Sequence, residues 1–166
     1  MKTNPRYLIA IYLIAIVTAN LAVSKFGPSV SIITAFLFIG LNITTRDYLH
    51  DTWEAGALKR NMFLLIAAGS VLSLFFNAGR IALASFMAFA ISETVDAITY
   101  QILKNKNKPR WMTINGSNTL SAIVDSFVFP TLAFGVFLPL IILGQIAAKI
   151  GGGFIWFIII RKTHDD

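Results

Sequence analysis

Four ionisable residues stand inside long apolar stretches of this 166-residue chain: Glu93, Asp96, Asp125 and Lys149. At membrane depth such a group costs roughly 2.5–3.5 kcal/mol on insertion scales, and it is kept where it binds, relays a proton or pairs. Each has polar company at helical spacing. Ser85, Ser92, Asp96 and Thr99 follow i, i+7, i+11 and i+14, and Asn118, Ser121 and Asp125 follow i, i+3 and i+7. Gln145 and Lys149 share a face at i, i+4. These stripes predict one polar cavity inside a helix bundle whose Phe, Ile and Leu face lipid. The bland reading is that Asp96, Asp125 and Lys149 pair only to hold helices together. Three acids and one lysine do not neutralise each other, and packing alone has no use for the excess, which favours the cavity. Glu93 lies beside its stripe and reads either as a coupling group or as a packing residue that carries a proton.

The sequence also excludes much chemistry. It has no cysteine, so a disulfide scaffold, a thiolate metal site and cysteine catalysis are absent together. There is no His-Glu-x-x-His, no Gly-x-Ser-x-Gly and no Walker A loop, so neither an enzyme nor a self-contained ATPase is expected. Asp47, His50, Asp51 and Glu54 recur at i, i+3, i+4 and i+7. One histidine among carboxylates is a poor metal trap, and a charged face of an interfacial amphipathic helix fits them better. No metal or cofactor is expected. The basic run from Lys104 to Arg110 reads as a cytoplasmic loop rather than an RNA-binding patch, and no nucleic-acid partner is expected.

The elements that must position these residues follow from composition. Hydrophobic residues make up 56% of the chain and charged residues 13%, about half the usual share for a soluble domain. Apolar stretches run over 7–24, 30–45, 62–77, 81–103, 112–134 and 137–160, each long enough to cross a bilayer, the second being short. Every backbone amide in hydrocarbon must be paired internally, and the period-two alternation of a membrane barrel is missing, so these are helices. The first exceeds the apolar core of a signal peptide and reads as a retained span. The expected fold is an all-α membrane protein, a six-transmembrane-helix bundle forming a single integral membrane domain over residues 1–166.

Orientation follows from the basic residues. With the N-terminus inside, eleven of the fourteen lysines and arginines fall on the cytoplasmic side, Lys25 and Arg80 fall outside, and Lys149 is within a helix. Both termini are therefore expected in the cytoplasm. Gly144, Ala148 and Gly152 form a small-residue ridge that predicts close helix packing; a hinge at Gly151–Gly153 is the lesser alternative.

At the fourth and fifth stretches the chain resembles a known family. Arg80 through Ala90 followed by Asp96, and Ser117 eight residues before Asp125-Ser126 with Phe129 beyond, resemble the signatures of the VUT family, the queuosine precursor transporters. Asn20, Asp47 and Lys149 match single positions. The resemblance covers most of the chain. It implies a multi-pass inner-membrane carrier for 7-cyano-7-deazaguanine or a related deazapurine, similar in architecture to the substrate-binding components of energy-coupling-factor transporters. It implies substrate binding by Arg80, Ser85, Asp96, Ser117, Asn118 and Asp125, with coupling or gating by Asp47, Glu93 and Lys149.

A guanine-like ring offers two adjacent N–H donors that match one carboxylate, so Asp96 or Asp125 could accept them. Phe86, Phe89, Trp111 and Phe129 could stack on the ring, though packing suits most of them better. Gln145 stands where some relatives place an acid, which leaves two power sources open: proton-linked or facilitative uptake by this chain alone, or a partnership with an energy-coupling ATPase module. A membrane-embedded enzyme and a holin-like pore are the competing readings. The first lacks a nucleophile–base pair, and the second has no need of buried acids.

Overall fold

The computed structural model describes residues 5–39, 41 and 55–165, and all elements found among them are helical. They are α1 (Pro5–Phe26), α2 (Val30–Thr34) running into a π-helical turn (Ala35–Ile39), α3 (Ala55–Phe75), α4 (Gly79–Asn105), α5 (Arg110–Phe134) and α6 (Pro139–Asp165). The expected interfacial helix with Asp47, His50, Asp51 and Glu54 lies outside the described residues. Several helices run past the apolar stretches that announced them. Thus α3 begins at Ala55 rather than at residue 62, and so takes in Lys59 and Arg60. Intrahelical hydrogen bonding does not stop where the hydrophobic run does, so polar turns extend the rods.

The boundaries follow turn chemistry. Gly135 closes α5 in the left-handed region at φ 71°, its N–H donating to the Thr131 carbonyl at 2.9 Å. Pro139 then opens α6, where a missing N–H costs nothing. Asn77 and Asn107 take the positive φ in the turns before α4 and α5.

The helices close into a ring. Around it, α1 packs on α3, α3 on α4, α4 most extensively on α5, α5 on α6, α6 on the π-helical turn, and that turn back on α1. Val23, Ile81, Ala84 and Ala133 cluster where α1, α4 and α5 meet, which gathers the 26–30, 75–79 and 134–139 turns at one end of the bundle. A second cluster of Leu8, Tyr12, Ile16, Leu65 and Ile66 joins α1 to α3, with Phe86 and Phe89 of α4 packed against it.

Polarity is inverted relative to a water-soluble bundle. Asn20, Ser31, Thr34, Ser73, Ser121, Ser126, Gln145 and Lys149 are buried, while Phe75, Phe76, Leu83, Leu140 and Leu143 are exposed. At about 25 cal/mol per Å² of apolar surface, water is a poor solvent for that exterior and lipid a good one. Among the described residues, α1 from Arg6 and the whole of α4 are long and apolar enough to cross a membrane. Shorter apolar runs occupy Phe63–Phe75 and Pro139–Gly152.

The small-residue ridge packs as its spacing suggested. A Cβ on Gly144 would press on the Ile32 side chain, and one on Gly152 would meet the backbone carbonyl of Phe36 in the π-helical turn. The ridge thus brings α6 into backbone contact with its neighbour, and α6 continues unbroken through Gly151–Gly153 rather than hinging there.

Candidate functional site

A cavity lies at the centre of the ring, and every helix contributes to its wall. Its empty volume is about 1000 Å³, including the space at its open mouth. Apolar and polar side chains alternate around its lining: Ile16 from α1 and Ile66 from α3, Phe89 beside Ser85, Ser92 and Glu93 on α4, and Phe129 beside Asn118, Ser121 and Asp125 on α5. Asn20, Ser31 and Thr34 add polar groups from α1 and α2, and Gln145 and Lys149 from α6. Helical rise places Tyr12, Glu93 and Asn118 about 20–24 Å from the end that holds the 26–30, 75–79 and 134–139 turns, so the cavity lies deep within the bundle as measured from that end. An apolar pocket with a few convergent polar groups is the usual form of a small-molecule site.

The α5 contribution is a clean helical stripe, since Asn118, Ser121, Ala122, Asp125 and Phe129 fall at i, i+3, i+4, i+7 and i+11. Across from it, Lys149 is only 3% exposed and forms an ion pair with Asp125. The same ammonium donates to Ser126 Oγ at 3.0 Å. Ser126 sends its own hydroxyl proton to the Ala122 carbonyl at 2.7 Å, which turns an oxygen lone pair toward the lysine. One turn earlier on α6, Gln145 Nε2 donates to Ser31 Oγ at 2.8 Å. Ser92 likewise gives its proton to the Phe89 carbonyl at 3.0 Å, so its oxygen can act as an acceptor within the cavity. On the α1 side, Asn20 Nδ2 donates to Ser73 Oγ at 3.0 Å, which fixes the amide against α3.

Five of the expected site residues therefore meet in one cavity: Ser85, Glu93, Asn118, Asp125 and Lys149. Three others do not line it. Arg80 is exposed, its Nε donating to the Leu132 carbonyl at 3.1 Å, and its guanidinium lies over Gly135, where a Cβ would meet Nη2 at 2.7 Å. This arginine ties the start of α4 to the end of α5. Asp96 shares the angular face of Ser85 but sits a turn beyond the last cavity-lining residue of α4; its Oδ1 is buried with no hydrogen-bond partner. Ser117 is buried one residue, about 100° of helix, away from the α5 stripe. Asp47 lies outside the described residues.

Of the two α4 carboxylates it is Glu93, four residues after Phe89 on the same helix face, that lines the cavity. Among the candidate stacking residues, Phe89 and Phe129 line the cavity, while Phe86 packs edge-on against Phe63 at 5.8 Å. The side chain of Trp111 lies outside the described residues.

Sequence reasoning gave no role to Tyr12, Ser31 or Thr34. The only signal for the α1 and α2 wall was Asn20, one polar residue in an apolar run. No cluster of three metal-ligating side chains is present among the described residues. In comparisons with known proteins, the model of the family described as "Putative vitamin uptake transporter" matches residues 7–161. No curated protein and no solved structure matches the chain.

Proposed function

The chain belongs to the VUT family, and from that premise we propose that it imports 7-cyano-7-deazaguanine, or a related deazapurine precursor of queuosine, across the inner membrane. In this reading it is one integral membrane domain with six spans and both termini in the cytoplasm. Uptake is facilitative or linked to protons carried by Glu93, Asp96 or Asp125. The observation that carries the reading is the central cavity, which combines carboxylates, hydroxyl acceptors and two aromatic rings inside a bundle with an apolar exterior.

That lining suits a flat, donor-rich heterocycle. The ring N1–H and exocyclic amine of a guanine-like base can be accepted by one carboxylate, Asp125 or Glu93. Ser85, Ser92 and Asn118 lie within the same wall for the remaining polar edge. Phe89 and Phe129 offer faces for stacking. A buried donor left without an acceptor costs about 1–3 kcal/mol, so such a wall selects by hydrogen-bond pattern as well as by shape.

The test is uptake of labelled 7-cyano-7-deazaguanine into vesicles reconstituted with this protein alone. Accumulation that responds to an imposed proton gradient supports proton linkage, and gradient-independent equilibration supports a facilitator. Uptake that appears only when an energy-coupling ATPase module is added makes the chain the substrate-binding component of such an importer. No uptake in any arrangement refutes the deazapurine reading.

A further inference from the structure

Lys149 is the one cationic side chain among the residues described as lining the cavity, and its ammonium is already engaged by Asp125 and Ser126. From this we infer that the Asp125–Lys149–Ser126 arrangement is a charge selector, which withholds the cation from the ligand so that the site accepts uncharged or cationic ligands and rejects anionic ones. The inference rests on the reading that this cavity holds the transported molecule.

The charges of the lining carry it. Asp125 already offsets the charge of Lys149 and Glu93 adds a second carboxyl group, so an anionic ligand would meet no uncommitted cation among the described lining residues. Burying an anion with no cation free to pair with it costs far more than burying a neutral ring. The ammonium is engaged directly by its ion pair to Asp125 and its hydrogen bond to Ser126. Its helix is held against α2 by the Gln145–Ser31 hydrogen bond and against the π-helical turn by Gly152. Ser126, fully buried and with its proton committed to Ala122, keeps an acceptor fixed beneath the lysine. Vitamins and purine-like compounds include acids as well as neutral and cationic rings, so a filter on charge narrows the class before shape is tested.

Thermal stabilisation of the detergent-solubilised protein is the readout, with four probes: 7-cyano-7-deazaguanine, its analogue with a carboxylate in place of the nitrile, cationic thiamine and anionic biotin. Stabilisation by an uncharged or cationic probe is expected, with the carboxylate analogue requiring about tenfold or more higher concentration than the nitrile. In Asp125→Asn, Lys149 loses its counter-ion, and the preference for nitrile over carboxylate should shrink by about tenfold or invert. If that variant does not accumulate, Ser126→Ala removes one tether without uncovering a charge and should shrink the preference in the same direction. Stabilisation by thiamine but not by the nitrile would refute the deazapurine reading and leave the selector standing. Wild-type protein stabilised equally by nitrile and carboxylate, or by biotin, overturns the selector. Stabilisation by none of the four overturns both.

Discussion

Gly152→Ala is the smallest change that tests how the site is held together. The new methyl carbon would collide with the Phe36 carbonyl oxygen, which belongs to the backbone of the π-helical turn and cannot rotate away. A relaxed carbon–oxygen contact needs about 3.3 Å or more, so α6 and the π-helical turn must separate by about 1 Å. Overpacking of this kind costs about 1–3 kcal/mol. The same separation acts on the Gln145–Ser31 hydrogen bond, now 2.8 Å, and takes it beyond the distance at which such a bond survives.

Gly144→Ala is the internal control. There the added carbon meets the Cδ1 end of Ile32, a flexible tip that can adopt another rotamer, so the cost should stay under about 1 kcal/mol. The assay is the melting temperature of the detergent-solubilised protein, with uptake measured in parallel. Gly152→Ala should melt lower than Gly144→Ala and lose uptake, while Gly144→Ala stays near wild type in both. A Gly152→Ala protein as stable as wild type, or a Gly144→Ala protein that is worse, would refute the argument that backbone contact sets the position of α6.

Glu93→Gln should weaken substrate affinity in a binding titration, whereas Asp96→Asn should leave affinity near wild type, because only Glu93 lines the cavity. Equal losses of affinity in both would put Asp96 in the site after all. Arg80→Ala should lower stability by about 0.5–1.5 kcal/mol through loss of its bond to the Leu132 carbonyl, with substrate affinity unchanged; a selective loss of affinity would return Arg80 to the site. Single cysteines at Lys106 and Phe137, in this cysteine-free background, should react with impermeant reagents from opposite faces of the membrane. Labelling from the same face would break the six-span topology.

Much of this protein was legible in the sequence, because the bilayer reads sequence locally. A run of apolar residues must form a helix that satisfies its own backbone, and helical period then fixes which residues share a face. That reasoning suffices for the α5 stripe through Asn118, Ser121 and Asp125, for Gln145 beside Lys149 on α6, and for the ridge of Gly144 and Gly152. Angle, however, is not depth, and it says nothing about partners on other helices. Asp96 lies at the angle of Ser85 but about a turn too far along the axis, while Glu93 shares the cavity face with Phe89 one turn before it. Arg80 carries a signature position, yet its bond goes to Leu132, 52 residues away, across a turn whose geometry only the folded hairpin sets. The pairing of Lys149 with Asp125 rather than with Asp96 or Glu93 is a choice among three acids of equal formal charge. It was decided by which helix packs beside α6: α5 does, which sets Asp125 across from Lys149, a neighbour relation that exists only once the ring of helices has closed.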